Sequence, residues 1–126
     1  MLDRLVAQMI LTAFLVLPAS SPAADADRYD STGLWITSLG LMKLNQEGET
    51  VSGSYTTDNG EILGTLRGNV LDGHWIEDDS AERCAEPKNG RHHWGRIELR
   101  FEGDRFTGRW GYCDGPFQGE VTGKRK

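Results

Sequence analysis

Cysteine is scarce in this chain: Cys84 and Cys113 are the only two. They do not form a C-x-x-C spacing, which argues against metal ligands or a reactive thiol pair. Positive charge is also in deficit. There are 14 Lys and Arg against 19 Asp and Glu, a net charge of −5. A nucleic-acid binder needs a basic footprint, and so does a protein drawn to anionic lipid. After residue 24 no apolar run is long enough to cross a membrane, and no helical period appears. Nucleophile frames are missing too: Ser38, Ser52, Ser54 and Ser80 stand in no G-x-S-x-G context. The acids Asp78, Asp79, Glu82 and Glu86 lack the Asx-Gly pattern of an EF-hand loop and read as solvated. No catalytic residue, metal or cofactor is expected from these patterns.

What is present begins with an apolar run from Leu5 to Leu17, broken only by Gln8 and Thr12. Small residues follow, Pro18 to Ala24. Residues 1–24 therefore read as a secretory signal peptide cut near Ala23 or Ala24, because the run is shorter than the ~20 residues of a span. That places the mature chain outside the cell or in the periplasm, with no membrane association after cleavage. It keeps roughly 100 residues, enough for one modest core. In an oxidising compartment Cys84 and Cys113 read as a disulfide. They lie 29 residues apart, and closing such a loop is worth roughly 3.5 kcal/mol in the chain-entropy treatment.

The mature sequence is organised by a recurring apolar–x–Gly–x–aromatic unit. Val51-Ser52-Gly53-Ser54-Tyr55 has it, as do Leu71-Asp72-Gly73-His74-Trp75 and Phe106-Thr107-Gly108-Arg109-Trp110. Gly33-Leu34-Trp35 carries its second half. Ile62 to Leu66 and Phe117 to Val121 repeat it with aliphatic or mixed ends. Residues i, i+2 and i+4 of a strand share one face, so each copy sets a glycine between two apolar side chains.

Residues 25–31 read as a flexible polar leader, residues 32–123 as the folded domain and residues 124–126 as a basic tail. Eight strands are expected, near 32–37, 39–46, 50–57, 61–67, 70–77, 92–101, 105–112 and 117–122. Asn59-Gly60 is a hairpin turn signal. Residues 78–91 form a longer loop. Short connections make sequential strands antiparallel neighbours. The fold class is all-β, an eight-stranded antiparallel up-and-down meander barrel, with a β-sandwich as the alternative. The inward set is Trp35, Met42, Leu44, Val51, Tyr55, Ile62, Leu66, Leu71, Trp75, Ile97, Leu99, Phe101, Phe106, Trp110, Phe117 and Val121.

Gly33-x-Trp35, then Leu39-Gly40, then Gly53-Ser54-Tyr55 resemble the Gly-x-Trp signature and first strands of the calycin superfamily, avidins in particular and lipocalins more broadly. The resemblance implies an exported eight-stranded barrel with an aromatic interior. Avidins hold biotin partly through an Asn and a Ser where this chain has Thr37 and Leu41. Tyr55 stands where a biotin-contacting Tyr is expected. The repeated Gly-x-Trp units also resemble those of small secreted proteins of unassigned role.

Two binding readings follow. In the first, Trp35, Tyr55, Trp75 and Trp110 line a pocket for a small hydrophobic or aromatic ligand; in the competing account these rings simply fill the barrel. In the second, a protein partner contacts an outer face around Trp94, Arg96 and Arg109. Strand parity turns Trp94 outward, unless a bulge at Gly95 turns it into the core. His74, His92 and His93 read as strand-end surface residues.

Overall fold

The computed structural model describes residues 28–126. The expected signal peptide, residues 1–24, and residues 25–27 of the expected leader lie outside the described residues. Eight strands form: β1 Gly33–Thr37, β2 Gly40–Glu47, β3 Thr50–Tyr55, β4 Gly60–Arg67, β5 Val70–Glu77, β6 His93–Glu102, β7 Arg105–Gly111 and β8 Phe117–Arg125. Each pairs antiparallel with its neighbour in sequence, and β1 also pairs with β8. The ring is closed, which rules out the sandwich. Closure leaves no sheet edge for another chain to join.

The interior follows from strand parity. Fourteen of the sixteen residues expected inside form the main core. Trp110 packs against that core partly buried. Phe117 is the exception. A register shift at Trp110/Gly111 pairs Gly111 with Phe117 but Trp110 with Gly119. The extra residue turns Phe117 out of the barrel. Its ring lies outside, within 4.6 Å of the Arg96 guanidinium and 4.2 Å of that of Arg109.

Three strand glycines, one of them in the repeat, have a specific use. Tyr55 faces Gly60, Phe106 faces Gly123 and Trp110 faces Gly119 across their ladders. A Cβ at those glycines would lie 2.1, 2.2 and 2.4 Å from the facing rings. The rings therefore lie down over bare backbone, which lets a narrow barrel hold large side chains. Gly60 is one of these sites and not a turn residue. The left-handed positions of that hairpin fall one residue earlier, on Asp58 (φ 46°) and Asn59 (φ 55°), in a short 3₁₀ turn.

One end of the barrel carries the β2–β3, β4–β5 and β6–β7 turns and is lidded. Over residues 28–31 the expected flexible leader is instead part of this lid. The Tyr29 ring stacks on Phe101 at 4.8 Å, and Ser31 is buried. Trp35 Nε1 donates to the Ser31 carbonyl at 3.0 Å. The expected basic tail is likewise structural, because β8 runs on through Arg125. The Arg125 guanidinium lies 4.4 Å from the Trp35 ring and donates to the Thr32 carbonyl and the Tyr29 hydroxyl.

The opposite end carries the longer connections. There the 78–92 segment folds back along the outside of β5 and β6. It covers Trp94, which is 4% exposed. Trp94 points outward, as parity requires, but neither the exposed placement nor the bulge describes it. The ring belongs to a second, external cluster with Ile76 and Cys84. Its Nε1 donates to the Glu86 carbonyl at 2.7 Å, and the Lys88 ammonium lies 4.7 Å from its centre. Cys84 is joined to Cys113 of the β7–β8 connection.

Candidate functional site

The loop end of the barrel opens into a cup of about 150 Å³. Ile97 lies at the bottom, and Tyr55, Trp75, Trp110, Tyr112 and Leu39 form most of the wall. Glu77, Thr57 and Ser80 complete the lining with polar side chains. Strand ends position these groups. Tyr55 closes β3, Trp75 and Glu77 close β5, and Trp110 nearly closes β7. Three of the four pocket residues expected from the sequence are thus brought together. Trp35 is not among them, since it is wholly buried against Phe101 and Phe106 at the lidded end.

The aromatic wall is geometrically ordered. Trp75 and Trp110 stand at 89° with centroids 6.4 Å apart. Tyr112 stands at 78° to Trp75 and 83° to Trp110. Three rings in mutually near-perpendicular planes make a corner. Trp75 is fixed by its Nε1, which donates to the Gly111 carbonyl at 3.0 Å. That carbonyl sits where a side chain on residue 95 would be, which explains glycine there.

Among the described residues, Glu77 is the one acid on the wall. It continues the inward row of β5 after Leu71, Gly73 and Trp75, so parity carried a signal for it that the aromatic pattern hid. Tyr55 donates its hydroxyl to Glu77 Oε2 at 2.5 Å. Burial pushes the Glu77 carboxyl above the ordinary carboxylate range; the Tyr55 hydrogen bond and the positive charges of Arg91 and His93 pull the other way, and Asp58 adds to the rise. Burial, then the bond to Glu77, pushes the Tyr55 phenol upward. Among the described residues no basic side chain reaches ion-pair distance of Glu77. Arg91, the nearby cation, pairs with Glu61 and Asp78 at 3.2 and 3.0 Å.

Ser80, His93 and Asp79 have the residue types of a hydrolytic triad, but their geometry is that of a loop clasp. His93 Nδ1 lies 2.9 Å from Ser80 Oγ and 3.1 Å from the Glu82 carbonyl. A carbonyl only accepts, so the tautomer with a proton on Nδ1 suits this site, and that nitrogen then cannot take the Ser80 proton. Ser80 donates to the same carbonyl at 2.9 Å. His92 contacts the Cys84 carbonyl, and His74 sets its ring edge against Trp94. The histidines thus pin the loop to the barrel. Among the described residues no cluster of three or more His, Cys, Asp or Glu is arranged to hold a metal ion.

The outer-face candidates separate. Trp94 is covered, while Arg96 and Arg109 both lie over the Phe117 ring, with Arg109 also paired to Glu98 at 3.2 Å. Thr37 spends its hydroxyl on the β1–β2 turn, donating to the Gly40 carbonyl and accepting from Leu39 N–H. Leu41 faces outward and is 43% exposed. Neither side chain is therefore placed to contact a ligand inside. No family model, curated protein or solved structure matches the chain.

Proposed function

We propose that the chain is an exported binding module that takes a small, ring-sized apolar ligand in the cup at the loop end of the barrel. The observation that carries this is the cup itself: Tyr55, Trp75, Trp110 and Tyr112 gathered around about 150 Å³ of space. An apolar cavity of that size holds roughly one benzene ring, well below the ~300 Å³ at which drug-sized pockets begin. The ligand is thus a small molecule or the ring-bearing end of a larger one. The disulfide supports export to an oxidising compartment. The resemblance to calycins supports the same reading, with an interior site reached from one end. The placement of Thr37 and Leu41 gives no support to biotin as the ligand. The alternative, a protein-contact face centred on Trp94, loses its anchor because that ring is covered.

Tryptophan emission tests the proposal. Trp75 and Trp110 line the cup, whereas Trp35 and Trp94 are buried elsewhere. Titration with phenol, indole and cyclohexanol should give a saturable quench or shift with at least one of them, diminished in Trp110→Phe. No response to any ring-sized ligand would overturn the proposal.

A further inference from the structure

We infer that the ligand's polar end is a positive charge: the cup is built for an alkylated ammonium group, with Trp75, Trp110 and Tyr112 around the cation and Glu77 as its counter-ion. This inference rests on the binding reading above and names the ligand class for that site.

A purely apolar ligand would explain the rings but not Glu77. A carboxylate on the wall of a mostly apolar cup is costly unless something compensates it. Here Tyr55 compensates one oxygen, and no cation pairs with the group among the described residues. The near cations are committed elsewhere: Arg91 to Glu61 and Asp78, and His93 to the Ser80 and Asp79 clasp. A cationic ligand would supply the missing charge.

The ring corner points the same way. Aromatic faces carry negative quadrupole potential, and several rings meeting at right angles can surround a compact cation that is too weakly hydrated to prefer water. A trimethylammonium group is close to a benzene ring in bulk, which suits about 150 Å³. An anionic ligand would meet Glu77 with like charge. At long range, the chain's net charge of −5 attracts cations and repels anions.

The test compares choline with its uncharged carbon isostere, in which a tert-butyl group replaces trimethylammonium. Binding is read by calorimetry and by Trp75 and Trp110 emission. Choline should bind at least about ten-fold more tightly than the isostere, the scale of a desolvated cation–π contact. Glu77→Gln should weaken choline and leave the isostere unchanged. A second readout needs no variant. Choline keeps its charge at every pH, so its affinity should fall as Glu77 is protonated on acidification, while the isostere's should not. The other titratable and charged groups near Glu77 are Tyr55, Asp58, Arg91 and His93. Equal or tighter binding of the isostere, or an affinity for choline that Glu77→Gln leaves intact, would overturn the cation inference and leave the apolar cup standing. Failure of choline, isostere and neutral rings alike would overturn both.

Discussion

At the scale of single residues, Glu77 is where stability and the proposed binding role pull apart. Its carboxyl is raised above the ordinary value by burial. A raised group stabilises the fold fully below its unfolded-state pKa, and that contribution is lost as pH rises through the folded-state value. At neutral pH Glu77 is therefore a net cost to the barrel. Glu77→Gln keeps an oxygen to accept from Tyr55 while removing the charge. The variant should melt above the parent at pH 7, with the difference closing as pH falls to about 4. Thermal melts across that range check it; a variant that melts lower at pH 7 would show that the charge is already compensated in the free protein. Residues that impair the fold and serve a site are common where a group must meet a ligand.

At the scale of elements, the disulfide joins two connections that frame the cup. Cys84 holds the 78–92 segment over Trp94 and Ile76, and Cys113 follows Tyr112 of the aromatic corner. Cys113 N–H also donates to the Trp94 carbonyl at 2.8 Å, so chain and cross-link fix the same corner. Replacing both cysteines with serine should cost roughly 3.5 kcal/mol of unfolding free energy, read from urea melts. It should also shift part of the tryptophan emission to the red as Trp94 loses its cover, and weaken ligand binding. Unchanged emission would mean that the clasp of His92, His93 and Ser80 holds the segment without the sulfurs.

At the scale of the whole molecule, the barrel depends on its last residues. The seam between β1 and β8 is short, with Trp35 to Thr37 against Gly123 to Arg125. It joins the two ends of the described chain and is the one ladder not built by neighbours in sequence. Ending the chain after Gly123 removes most of that seam. It also removes the Arg125 guanidinium from Trp35, Tyr29 and Thr32. Folded domains of this size have only ~5–15 kcal/mol to lose. The shortened chain should lose at least about 3 kcal/mol and unfold over a broader range, measured by near-ultraviolet circular dichroism. Arg125→Lys keeps the ladder but not the planar fork, and should fall between the two.

Local sequence determined the strands, their order and almost all of the core. A period of two is a strong code when the turns between runs are short, and it specifies which side chains share a face without reference to anything distant. Leu71, Gly73 and Trp75 announce the inner row of β5 in this way, and Glu77 continues it. The misplacements all have non-local causes. Phe117 left the core because the ladder between β7 and β8 slips by one residue, which only the pairing of two strands can define. Trp94 is buried because a segment ten residues earlier folds over it from outside. Tyr29 and Arg125 read as leader and tail because contacts that hold them are distant in the chain: Tyr29 reaches Gly103 across 74 residues and Arg125 across 96. The cup is of this kind as well. Which rings meet, and that an acid stands among them, is decided by ring closure, which brings β3, β5 and β7 to one rim only after all eight strands have paired.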